Sequence, residues 1–287
     1  MPLDREAPTS PSARDRRAAR GHSRAHGRRR AGGHPSKGKI DDVERSADAA
    51  KKKGNDDGGS GSSSSAWAVV FDGAGDVFSA FYQTFAWYPR ERGRGYLRYP
   101  YAETTSPATF VRGDVESGRT FGAVSAAYFR DDESTLRAAH FSVEWAGSWV
   151  HRTIEFSSYA EPKPNQTDHL QMFRLSFAGL PAIGDIGYLT IGAGIQVVTV
   201  GSDAASGPEV EVGAQLFPLR PFGVAASARV APLTWNGGPT WGVGFADLAA
   251  NGSVFVGRFE LQAGYRWTRI GVGSPFKGPT LGMKVWF

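Results

Sequence analysis

Residues 253–268, SVFVGRFELQAGYRWT, decide the reading of this chain. Successive side chains of a strand point to opposite faces. Read as one strand, this stretch puts Phe255, Gly257, Phe259, Leu261, Ala263, Tyr265 and Trp267 on one face. The other face takes Val256, Arg258, Glu260, Gln262, Gly264 and Arg266. One face is apolar and the other is charged. A wall between lipid and a filled polar lumen has this alternation. A soluble barrel with an apolar interior has it too, with the faces reversed.

The pattern repeats through most of the chain. Ala139, Phe141, Val143 and Trp145 alternate with His140, Ser142 and Glu144, and Val210, Val212, Ala214 and Leu216 with Glu209, Glu211, Gly213 and Gln215. The expected strands are 118–130, 135–146, 149–159, 169–178, 185–200, 209–217, 222–232, 240–248, 253–268 and 279–287. Joints at 147–148, 179–184, 218–221 and 249–252 are short. Those at 160–168, 201–208, 233–239 and 269–278 are mostly longer, and 131–134 is a short exception. Short turns on one side and longer loops on the other mark outer-membrane barrels. The expected fold is all-β: an antiparallel up-and-down transmembrane barrel of about ten strands (range 8–12), with both termini on one side.

Composition bounds the alternatives. The chain has 287 residues, 37 Gly and no Cys, which excludes disulfides and thiolate metal sites. Mean hydropathy is −0.33, and no apolar run is long enough for a membrane helix. The net charge of +5 belongs to the N-terminal part: residues 1–65 hold 15 Lys/Arg against 9 Asp/Glu, and the rest is nearly neutral. The folded part therefore has no nucleic-acid footprint.

Residues 1–65 have few large apolar side chains and are expected to be a disordered basic tail ending in a Gly/Ser linker. No signal peptide is visible, because no apolar run follows the basic start. Two explanations stand: a misassigned start, with 1–38 a wrong-frame reading, or a real basic tail. N-terminal sequencing that recovers Met1 or Pro2 removes the first. Residues 66–117 form an aromatic-rich lead-in, with a short helix expected near 76–87 from Val77, Phe78, Phe81, Tyr82 and Phe85. Aromatics near strand ends (Tyr128, Phe129, Trp149, Tyr159, Phe217, Phe222, Trp235, Trp241, Trp267, Trp286, Phe287) are expected to form interfacial girdles.

The last eight residues, Thr280-Leu281-Gly282-Met283-Lys284-Val285-Trp286-Phe287, resemble the terminal assembly signal of bacterial outer-membrane β-barrel proteins. Thr280, Gly282, Val285 and Phe287 occupy its four specified places. The resemblance implies a Gram-negative outer-membrane location, the barrel-assembly machinery and outer-membrane lipid as partners, and a structural, adhesion-type or small-pore (porin-like) role. His140-x-Ser142 is similar to the His-x-Ser pair of outer-membrane lipid A deacylases, with Glu144 or Glu155 as the acid. That family's Asn after the Ser is Val143 here. This implies a second function, a lipid-acting hydrolase with His140, Ser142 and Glu155 as candidates. A soluble barrel binding a hydrophobic ligand is a third.

No catalytic set is assigned. The expected lumen network is Glu144, Arg174, Arg258, Glu260 and Arg266, joined by Glu155, Glu209 and Glu211. His140, His151 and His169 lack metal-ligand spacing, and no cofactor motif is present.

Overall fold

The computed structural model describes residues 38–56, 95–96, 99–101, 111–112, 121–147, 150–180, 182–184, 186–235 and 243–287. Ten strands build the wall: β1 (Phe121–Arg130), β2 (Arg137–Ala146), β3 (Val150–Pro162), β4 (Thr167–Gly179), β5 (Gly187–Val200), β6 (Asp203–Leu219), β7 (Phe222–Trp235), β8 (Val243–Val256), β9 (Phe259–Ile270) and β10 (Phe276–Trp286). Each pairs antiparallel with the next, and β10 returns to β1, so the sheet closes on itself. The fold is the expected up-and-down barrel, and closure leaves no unpaired edge.

The seam between first and last strands runs from Thr280↔Phe129 to Trp286↔Ala123. Gly122 and Phe287 extend it, each N–H donating to the other's carbonyl at 2.9 Å. A Cβ on Gly122 would stand 2.3 Å from the Phe287 ring. A side chain at Gly122 would displace that ring.

One boundary differs from the sequence reading and moves a residue. Strand β8 runs through the expected 249–252 joint to Val256, and the chain reverses at Gly257-Arg258, with Val256 paired to Phe259. Gly257 has φ 63°, the backbone required at the first central position of a tight two-residue hairpin. Period two continues across such a turn, so alternation alone hides it. The faces therefore switch at the turn: Phe255 points inward, whereas Phe259 and Leu261 point out. Arg258, expected in the lumen, is exposed at the turn.

The expected length asymmetry is also smaller. The 201–208 loop contracts to Gly201-Ser202, because β6 begins at Asp203. We call the end carrying Phe121 and Phe287 the turn end, and the other the loop end.

Helix α1 (Lys39–Asp56) lies inside the stretch read as a disordered tail. Its Ile40, Val43 and Ala47 recur at helical spacing and are buried. They pack at the loop end among Phe129, Leu136, Tyr159, Leu170, Leu233 and Phe276. Three apolar residues are too few to order a helix alone, so the barrel mouth supplies the burial that the segment's composition lacks. The helix expected near 76–87 lies outside the described residues.

Candidate functional site: the lumen and its two mouths

The sense of the faces is inverted relative to a soluble protein. Phe141, Val143, Phe156, Ile191, Val210, Val212, Val230, Leu261 and Leu281 stand on the outside, between 40% and 66% exposed. Arg174, Glu209, Glu211, Arg229, Asp247, Glu260, Arg266 and Lys284 point inward and are buried.

Inside, Arg174, Arg229 and Arg266 form one connected network with Glu155, Asp247, Glu209 and Glu211. Glu155 Oε2 accepts from Arg229 Nη1 at 2.7 Å and Arg174 Nη1 at 3.4 Å, and its Oε1 from Arg266 Nη2 at 3.1 Å. Asp247 Oδ2 accepts from Arg229 Nη2 at 2.6 Å, and its Oδ1 from Arg266 Nε at 2.7 Å and Thr268 Oγ1 at 2.6 Å. Arg174 Nε reaches Glu209 at 2.5 Å, and Arg174 also pairs with Glu211. Glu155 on β3 thus binds arginines from β7 and β9, on the far side of the ring, so the network crosses the lumen. Paired and hydrogen-bonded charges tolerate burial that isolated ones do not.

Toward the turn end, Lys284 Nζ meets Glu144 at 2.7 Å and lies 4.4 Å from the Trp286 ring centroid. His151 Nε2 stands 3.3 Å from Glu144. Trp286 Nε1–H donates to Glu260 Oε2 at 2.8 Å. Of the expected lumen residues, Glu144, Arg174, Glu260 and Arg266 therefore point inward. The sequence reading missed Arg229, Asp247 and Lys284. Their inward parity on β7, β8 and β10 is the signal that finds them.

The hydrolase candidates are near one another but bonded otherwise. His140 Nδ1 meets Ser157 Oγ at 2.7 Å and accepts from Arg266 Nη1 at 3.0 Å. Ser142 Oγ meets Ser125 Oγ at 2.7 Å instead. Glu155 serves arginines, not a histidine. The His140 lone pair is shared with a guanidinium N–H, which makes it a poor base for Ser157. A lumen cavity of about 140 Å³ lies beside His140, Ser142, Asn251, Gln262 and Arg266. It is polar and fits a few waters.

Both mouths hold buried packing. At the loop end, Glu161 accepts from the N–H groups of Lys39 at 3.1 Å and Ile40 at 2.9 Å, a carboxylate on the N-terminus of α1. Lys39 Nζ meets Asp131 at 2.9 Å and the Pro275 carbonyl at 2.8 Å. Burial opposes ionisation of Asp131, yet hydrogen bonds from the Lys277 N–H and from Lys39 hold its carboxyl below the usual range. Asp41 is held low in the same way: burial opposes, and the bonds from Lys163 and the Gly38 N–H outweigh it. At the turn end, Tyr101 packs edge-on to Phe217 and Phe255 and donates to the carbonyl of Leu219 or Phe222.

The aromatics expected as girdles divide between these roles. Phe129, Tyr159 and Trp235 line the loop mouth, and Phe217 and Trp286 the turn mouth. Tyr128, Phe222 and Phe287 face outward. Parity, not closeness to a strand end, decides which. Trp149 and Trp241 lie outside the described residues. Among the described residues no cluster of His, Asp and Glu is arranged to hold a metal ion.

Comparison with protein-family models gives no match, and comparison with curated proteins gives none.

Proposed function

We propose that this protein is an integral β-barrel of a bacterial outer membrane, with a filled lumen and a structural or adhesion-type role in the envelope. The inverted faces carry the reading. A ring of outward Val, Leu, Ile and Phe encloses a network of Arg, Lys, Glu and Asp. In water this arrangement exposes large apolar side chains on nine of the ten strands, while in lipid the same surface is solvated. The C-terminal strand supports it, with Phe287 outward at the turn end, where the terminal assembly signal is read.

The lumen argues against two other roles. Charge pairs crossing it, with side chains packed at each mouth, obstruct a solute path among the described residues. A hydrophobic ligand meets a charged mid-lumen, and the buried apolar clusters at the two ends are packed by their own side chains. The small-pore reading therefore requires the network to open.

The test is heat-modifiable gel mobility of the full chain in the outer-membrane fraction, expressed behind a secretion signal. Altered migration before boiling, lost when Phe287 is deleted, supports the reading. A water-soluble product without a heat shift overturns it.

A further inference from the structure

Arg130 ends β1 and Arg137 begins β2, and the two are directly opposed in register. Both side chains are exposed on the outer face. Like charges directly opposed across strands repel, so such a pair calls for an acid nearby. The intervening loop offers three, and all are engaged elsewhere. Asp131 binds Lys39 and the Lys277 N–H. Asp132 accepts from Tyr265 Oη at 2.7 Å. Glu133 pairs with Lys277 at 2.5 Å and Lys39 at 3.3 Å. No acidic side chain among the described residues pairs with Arg130 or Arg137.

Below the two arginines the outer face turns apolar at once. Tyr128, Leu281 and Phe141 are 47%, 66% and 54% exposed. Tyr128 and Leu281 are paired across the β1–β10 seam, and Phe141 lies opposite Ala126 on β2. Two exposed arginines in direct register above an apolar slope complement an amphiphile with an anionic head. Guanidinium matches phosphate geometry in a bidentate manner.

We propose that Arg130 and Arg137 bind the phosphate of a lipid headgroup in the leaflet at the loop end, with an acyl chain lying along Tyr128, Leu281 and Phe141. The site rests on the membrane reading above. It accounts for an uncompensated arginine pair at the edge of the apolar belt, which stability alone does not.

The test is native mass spectrometry of the full chain in detergent with lipid A, its dephosphorylated form and inorganic phosphate as probes. Lipid A is expected to be retained by the native chain, and retention should fall about tenfold or more in the R130Q/R137Q double variant. Arg152→Gln, an exposed arginine toward the turn end, should leave it unchanged. Dephosphorylated lipid A should bind no better to the native chain than to the double variant, and inorganic phosphate should not compete. Equal retention by native and double variant overturns the site, as does competition by inorganic phosphate, which would mark a general anion site. Heat-modifiable mobility of the same preparations separates the two failures. A heat shift with unchanged retention removes only the lipid site, whereas its absence removes the membrane reading as well.

Discussion

The two faces of this wall are made by the same strands, one residue apart, and follow opposite rules. On β6, Glu209 and Glu211 are buried and bonded to Arg174, while Val210 and Val212 are more than half exposed. The inner face is held by specific partners, each charge requiring its counter-charge. The outer face holds apolar side chains that need only an apolar solvent. Substitutions on the inner face should therefore hurt in any setting, whereas on the outer face the surroundings decide.

The largest effect should come from breaking the inner face. Glu155→Ala leaves three arginines short of a carboxylate, and unpairing buried charge costs about 3–5 kcal/mol. Denaturant unfolding of the refolded barrel should show a loss of that size. On the outer face, Val212→Arg should cost about 2–4 kcal/mol for a barrel in lipid. It should cost almost nothing for one in water. Running that variant in both settings sharpens the comparison, since the same side chain is tested against two solvents.

The mouths give smaller effects. Ile40→Ala should loosen α1 by about 2 kcal/mol, read as faster proteolysis of α1 with the barrel heat shift intact. Acid should loosen α1 as well. Asp131 and Asp41 have folded-state pKa values below the unfolded ones. Their contribution is present above about pH 4 and lost as pH falls through the folded values. Proteolytic release of α1 should therefore begin only below about pH 4. Tyr101→Phe removes one hydroxyl donor and keeps the ring, and should cost about 1 kcal/mol.

Helix α1 packs at the loop mouth, among Phe129, Tyr159 and Leu233. In the proposed outer-membrane orientation, with the loop end outward, Glu44, exposed on α1, stands on the cell surface. A Glu44→Cys chain, otherwise free of cysteine, should then react with an impermeant maleimide on intact cells. Reaction only after the outer membrane is opened would place α1 elsewhere.

The strand ladder and closing strand were legible because period two survives wherever one face is buried. Glu144, Arg174, Glu260 and Arg266 fall on the inward face by the same alternation. Arg258 does not, because a two-residue hairpin preserves alternation while exchanging the faces, and only Gly257 marks it. Helix α1 was illegible because its order depends on Phe129, Tyr159 and Leu233, residues far away in sequence. The partnering of His140 with Ser157 rather than Ser142 came from β2–β3 register, in which His140 opposes Ser157. Spacing along one strand does not contain that information.

The central claim is that the outer face meets lipid. The most direct measurement is spin-label accessibility at single cysteines placed one at a time at residues 209–214, in the full chain reconstituted into vesicles. Period two is expected, with oxygen contact highest at 210, 212 and 214 and contact with a water-soluble nickel complex low there. Nickel contact exceeding oxygen contact at 210 and 212 would put that face in water and contradict the account.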